Sequence, residues 1–312
     1  MRGWVTGRWL VLGFSLALMA CAAPARAAEP VRAVATFSIL ADLVRQVGGA
    51  HVAVSSLVGP DADAHGYSPA PGDSRTLARA DIVVINGLGF EGWIERLVKA
   101  SGAKAALVVA AKGIATIPGR HEHTHDHAPG APDTDQAADP HAWQSIANVK
   151  VYVANIRDGL TTVDPAHAAD YAANAASYLD RLDRLDAEIR AAIAGIPPEH
   201  RRVITTHDAF GYFSAAYGLR FIAPQGVSTD SEASPRDVAK IIRQIRRDRI
   251  PAVFLETIAD PRLMEQVARE SGAKIGGKVY SDALSGPAGP APTYLDMMRT
   301  NLRAFREALG PA

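Results

Sequence analysis

The feature that most constrains this fold is a helical run in the middle of the chain. Asp164-Pro165 offers an N-cap followed by proline at the first helical position, and neither glycine nor proline recurs until Gly195-Ile196-Pro197-Pro198. Tyr171, Ala175, Tyr178, Leu182, Leu185, Ile189 and Ile193 recur at three- and four-residue intervals, which places them on one helix face. About 30 residues at about 1.5 Å each give a rod of roughly 45 Å. A rod of that length at mid-chain predicts two lobes joined by one rigid helix.

Both flanks read as α/β. Val31–Phe37 predicts a strand running into a helix from Ser38 that stops at Gly48-Gly49, and His51–Val58 a second strand. Asp81–Asn86 (DIVVIN) is continuously apolar, as strands buried on both faces of a parallel sheet are. Phe90–Ala100 predicts a helix and Ala105–Ala110 a strand. Beyond the central helix, Arg202–Thr206 predicts a strand and Ala209–Tyr217 a helix closed by Gly218. Ser234-Pro235-Arg236-Asp237 has the logic of a capping box before a Val238–Asp248 helix. Ala252–Glu256 and Lys274–Tyr280 predict strands, separated by a helix that Asp260-Pro261 caps and Gly272 ends. A terminal helix occupies Pro292–Leu309. Such alternation means a mostly parallel sheet flanked by helices in each lobe. The expected divisions are an N-terminal lobe over 28–163, a connecting helix over 164–195 and a C-terminal lobe over 196–312. Residues 118–138 break the pattern with Pro, Gly, Asp and His and no apolar period, as a surface loop or disordered insert does.

Composition excludes several classes. The 33 basic residues balance 33 acidic ones, which argues against a nucleic-acid binder. A single cysteine excludes a disulfide framework and any cysteine-rich zinc site. Residues 1–27 read as a secretory signal peptide: Arg2 and Arg8, an apolar run from Trp9 to Ala20, and Ala25-Arg26-Ala27 as the cleavage site. Leu18-Met19-Ala20-Cys21 also resembles a lipobox, so the exported protein is either soluble or tethered through lipidated Cys21.

The ten histidines fall into three groups. His121, His123, His125 and His127 alternate within the 118–138 insert. His51, His167 and His200 stand in ordinary strand or helix contexts, where surface or packing roles are expected. His65, His141 and His207 share another setting with Asp282. At least three of these four follow predicted parallel strands, at the ends where open α/β sheets bind ligands, and each lobe contributes two. Three neutral imidazoles and a carboxylate suit zinc; an all-oxygen calcium or magnesium site would need more carboxylates and carbonyls. Singly, each histidine could equally be a strand-end residue bonded to the backbone, and no local motif such as HExxH binds them together.

Five stretches, in order, resemble a known family. They are His65-Gly66-Tyr67-Ser68-Pro69-Ala70-Pro71, the segment 81–91, Asp139-Pro140-His141-Ala142-Trp143, the segment 206–213, and Tyr280-Ser281-Asp282-Ala283-Leu284. The chain is thereby similar, over essentially its whole mature length, to the zinc- and manganese-specific substrate-binding proteins of bacterial ABC importers. That resemblance implies two pseudo-symmetric lobes and one metal in the cleft, held by His65, His141, His207 and Asp282. It also implies an auxiliary, low-affinity zinc-gathering loop, matched here by His121, His123, His125 and His127. Manganese members often carry Glu at the third histidine position, where this chain has His207. Zinc members often carry Glu before the first ligand, where it has Ala64.

The expected function is extracytoplasmic, periplasmic capture of one tightly bound Zn2+ and delivery to an ABC membrane permease, with no enzymatic activity. The chain is expected to be monomeric, with a periplasmic zinc chaperone as a further possible partner and no nucleic acid. Binding should weaken as pH falls through the histidine range near about 6.5. Manganese, alone or with zinc, is the alternative cargo. An exported zinc hydrolase, with Asp282 or Glu256 as base, and a zinc store without a transporter are the other readings. Glu256 and Glu232 are expected to anchor loops or to bond to the ligands from behind.

Overall fold

The computed structural model describes residues 29–119, 138–230 and 232–310, together with Met1 and Trp4. The expected signal peptide and Cys21 lie outside them. Two parallel four-stranded sheets share one topology. In the first lobe β1 (Val31–Phe37), β2 (Val52–Val58), β3 (Ile82–Ile85) and β4 (Ala106–Val109) are ordered β2-β1-β3-β4. In the second, β5 (Arg202–Ile204), β6 (Arg220–Ile222), β7 (Ala252–Glu256) and β8 (Lys274–Val279) are ordered β6-β5-β7-β8. Each sheet therefore reverses its winding between its first and third strands, the place where doubly wound sheets open a crevice.

Helices cover both sheets. The first lobe carries α1 (Ser38–Gly48), α2 (Pro71–Ala78), α3 (Ile94–Ser101) and α4 (Ile146–Val163). After the connector α5 (Ala168–Ala194) come α6 (Gly211–Tyr217), α7 (Pro235–Asp248), α8 (Arg262–Ser271) and α9 (Tyr294–Leu309). Among the described residues no helix is long and apolar enough to cross a membrane.

The connector buries Tyr171, Ala175, Tyr178, Leu182, Leu185, Ile189 and Ile193, the face its spacing predicts. Their burial contributes on the order of 10 kcal/mol. They belong to one continuous apolar core running from β1 through α4 and α5 to α9, so the lobes are not two separate bodies on a flexible tether. A smaller core sits beneath α7 and α8 on the far face of the second sheet. Asp164 does not cap the connector's backbone. Pro165–His167 forms a single 3-10 turn, and the Asp164 carboxylate instead accepts from His167 Nδ1 at 2.7 Å and from the Tyr171 hydroxyl at 2.6 Å.

Some boundaries move for local reasons. The α3 helix starts at Ile94 rather than Phe90, because Gly87, Leu88 and Gly89 all take positive φ. That turn lets the Glu91 carboxylate receive the backbone N–H groups of Asn86 and Gly87. The α7 helix includes its capping turn: the Ser234 hydroxyl accepts from Asp237 N at 3.2 Å, with Pro235 in the first turn.

Candidate metal centre

Four loops leave the carboxyl ends of the strands and meet between the lobes. His207 stands just past β5, His65 in the loop after β2, Asp282 just past β8, and His141 immediately before a 3-10 turn that leads into α4. His65 Nε2 and His141 Nε2 are 3.2 Å apart. Asp282 Oδ2 lies 3.1 Å from His207 Nε2 and 3.4 Å from His65 Nε2, and its Oδ1 lies 3.7 Å from His141 Nε2. One ligand atom from each of the four residues falls within 4.8 Å of every other. His141, His207 and Asp282 are fully buried, and His65 is 9 % exposed.

Carboxylates behind two of the imidazoles aim their rings. His141 donates both its backbone N–H, at 2.9 Å, and its ring Nδ1–H, at 2.8 Å, to Asp139 Oδ1. Glu256, at the end of β7, receives the backbone N–H groups of Thr206 and His207 on Oε1, at 2.7 and 2.9 Å. Its Oε2 lies 2.6 Å from His207 Nδ1, a contact off the hydrogen-bond axis. Engaging Nδ1 in this way leaves Nε2 free as a lone-pair donor toward the cluster. From beneath, the Tyr152 hydroxyl donates to Asn86 Oδ1 at 2.5 Å, and Asn86 Nδ2 donates to Pro140 O at 2.9 Å, which fixes the turn before His141. Phe90 packs edge-on against His65, and Trp143 against His141, with ring centroids at 4.5 and 5.2 Å.

The electrostatics are those of a site built for a cation. Both Asp282 oxygens and His207 Nε2 are buried without a hydrogen bond. An isolated carboxylate in such a place costs several kcal/mol, by rough reckoning, unless a positive charge answers it. Burial pushes Asp282 up, but the imidazoles of His207 and His141 outweigh it and hold the carboxyl well below its usual range. Burial likewise opposes a charged His207, yet Glu256 and Asp282 outweigh it and raise its pKa well above the ordinary imidazole value. His65 is lowered, chiefly by burial, with Asp282 opposing.

All four predicted ligand positions thus come together. Glu256 stands behind His207, as expected of an anchoring carboxylate. Glu232 instead lines a separate cleft, with Thr206, Thr229 and Asp63. His51 and His167 stack on each other at 3.8 Å far from the cluster, paired with Asp170 and Asp164, and His200 Nδ1 meets Leu309 O. His121, His123, His125 and His127 lie outside the described residues. Two residues were given no role from sequence. Asp63 accepts the His65 backbone N–H at 2.9 Å, as Asp139 does for His141. The signal was present as a repeated Asp-x-His, at Asp63-Ala64-His65 and Asp139-Pro140-His141.

The chain is similar to known proteins along most of its length. A sequence profile of the family described as ZnuA, zinc-uptake complex component A periplasmic, matches residues 33–308. The iron-binding protein YfeA of Yersinia pestis is 33 % identical, over 92 % of this chain and 89 % of its own. The manganese-binding lipoprotein MntA of Bacillus subtilis is 34 % identical, over 96 % of this chain and 97 % of its own. The solved structure of the periplasmic zinc-binding protein TroA from Treponema pallidum superposes with a TM-score of 0.80 at 29 % identity, covering 91 % of this chain and all of that one.

Proposed function

The chain belongs to the ZnuA family of periplasmic metal-binding proteins of ABC importers, and from that premise we propose that it captures a divalent transition metal, zinc foremost, and hands it to a membrane permease. The family's members are substrate-binding proteins and not enzymes, which sets aside the hydrolase reading. The ligands are His65, His141 and His207 through Nε2, and Asp282. One observation carries this assignment: a fully buried carboxylate, neither oxygen of which has a hydrogen bond, faces three imidazole nitrogens.

For zinc, the argument is donor chemistry. A nitrogen-rich N/O site binds zinc more tightly than manganese or iron(II), whatever the physiological cargo. Manganese is the second reading, and one feature of the site favours it. Asp282 turns both oxygens toward the imidazoles, so up to five donor atoms are at hand rather than the four of a closed tetrahedron. A relative named for manganese supports the same reading. The family and the leader-like residues 1–27 support export to the periplasm. The lipoprotein relatives favour the Cys21 anchor over a freely soluble form. The protein acts as a monomer, with a zinc chaperone as an optional donor.

The test is elemental analysis of purified protein after exposure to equal zinc and manganese, with His141→Ala alongside. About one equivalent of zinc in the parent, lost in the variant, supports metal capture and the ligand assignment, since zinc out-competes manganese at such donors in any case. Manganese loading moves the assignment to the second reading, and no metal in the parent ends it.

A further inference from the structure

The lobes are joined unequally around the cluster. On the side of His141 and Asp282, Trp143 Nε1 and Gln144 Nε2 both donate to Ser281 O at 2.8 Å, and the Tyr294 hydroxyl donates to Trp143 O at 2.7 Å. Near His207, the Tyr212 hydroxyl donates to Asp139 O at 3.0 Å. These bonds are buried. The side of His65 differs: a cleft of about 430 Å³ opens there between Tyr67 and Phe90 of one lobe and Val227 and Asp230 of the other. His65 is also the one member of the cluster with any exposure, so an ion must pass it to enter or leave.

Beside that mouth, where the separate cleft lined by Glu232 begins, a partly buried hydrogen bond runs from the Thr229 hydroxyl to Asp63 Oδ2, at 2.6 Å. Asp63 serves two masters. Its Oδ1 accepts the His65 backbone N–H at 2.9 Å, while Oδ2 reaches the opposite lobe. Asp139, in the same Asp-x-His arrangement, uses a single oxygen for both groups of its own histidine. Nearby, Asp61 ties the same loop to the main chain of Leu284 and Gly286, so Asp63–Thr229 is the tie to the opposite lobe that stands nearer His65 in sequence.

We propose that Asp63 and Thr229 form a clasp that positions His65 over the cluster and sets how fast metal escapes. The proposal rests on the metal-capture reading above. Opening the clasp frees the loop that carries His65, so one ligand can lift away while the other three stay fixed. Thr229 is therefore a positioning residue that acts through Asp63 and His65 and does not touch the ion.

The experiment measures zinc release from the full chain into an excess of chromogenic chelator, for the parent, Thr229→Val and Thr229→Ser. Neither substitution changes a charge, and valine nearly matches threonine in shape. Thr229→Val is expected to release zinc about tenfold faster, the loss of one hydrogen bond to a charged acceptor. Thr229→Ser, which keeps the hydroxyl, should stay within about twofold of the parent. Melting of metal-free Thr229→Val should fall by no more than a few degrees, and its rate of zinc uptake should stay within about twofold of the parent, which a general loosening of the fold would not give. Equal release rates for the parent and Thr229→Val, or failure of serine to rescue, would overturn the clasp alone. A parent that takes up no zinc would overturn the clasp and the reading beneath it together.

Discussion

The two lobes share a strand order but supply their ligands differently. In the C-terminal lobe, His207 and Asp282 each stand three residues beyond a strand, after Ile204 and Val279. Glu256, itself the last residue of β7, ties the end of β5 to the neighbouring strand. In the N-terminal lobe, His65 sits deep in the loop after β2, and His141 lies beyond residues 120–137. There the stiffness that a strand end would provide comes from Asp63 and Asp139, each bonded to the backbone of the histidine two residues on. One half of the site is thus held by the sheet and the other by local carboxylate turns. Positions fixed by a sheet tolerate little, whereas a turn can be loosened and retightened.

The sharpest test of that contrast is Asp282→Ala, which should abolish stoichiometric zinc binding, read by elemental analysis. It removes the negative charge on which all three imidazoles converge. Retained binding would mean that the sheet-held half is dispensable.

A pair of isosteric changes comes next. In Glu256→Gln the oxygen can still accept the two backbone N–H groups, but the new amide N–H2 faces His207 Nδ1. That turns Nδ1 into an acceptor and puts the proton on Nε2, where the metal must bind. Affinity should fall about 10- to 100-fold. Asp139→Asn should cost no more than about threefold, because Asp139 uses Oδ1 alone for both groups of His141 and an amide oxygen can replace it. Competition titration with a chelator of known affinity measures both. Equal losses would erase the distinction between the halves.

Acidity sharpens it further. Metal must displace the proton that Glu256 and Asp282 hold on His207, whose pKa stands well above the ordinary imidazole value. Apparent affinity is therefore flat above that raised pKa and falls below it, by about tenfold per pH unit for that proton. The decline begins on the alkaline side of about 6.5, earlier than the composition alone suggested. In Glu256→Gln the loss of a facing negative charge lowers the His207 pKa, so the onset should move to lower pH. An unchanged onset would show that another group controls it.

How much of this was readable beforehand depended on whether the cause was local. Val31–Phe37 and Ala252–Glu256 are strands over the residues expected, because alternation in the first and an apolar run in the second need no tertiary information. The α4 helix went unread. It is crowded with β-branched residues and interrupted by Gly159, both poor helix formers. Gly159 is there for a tertiary reason: a Cβ at that position would come 2.3 Å from Val108 Cγ2 on β4. The three-residue β6 and the α2 helix, which begins at Pro71 in a proline-rich stretch, were equally hidden. His207 and Asp282 were legible because they closely follow predicted strands, whereas His65 and His141, deep in loops, were picked out chiefly by motifs that resemble a known family. Which oxygen of Asp63 or Asp139 faces which lobe depends on how the loops pack, and no spacing encodes it.

The smallest effect is expected from the histidine-rich insert. Pro118 and Ala138 pair in an antiparallel bridge, so its two ends already meet. Deleting 119–135 should leave the tight site within about twofold of the parent, and should remove only weak zinc binding, read by calorimetry. Loss of the tight site would place a ligand within the insert.

The central claim is that groups from both lobes surround one cation, and anomalous diffraction from zinc-loaded crystals tests it most directly. The account predicts a single strong peak about 2.0–2.2 Å from Nε2 of His65, His141 and His207 and from at least one Asp282 oxygen. A peak that leaves out the ligands of either lobe would contradict it.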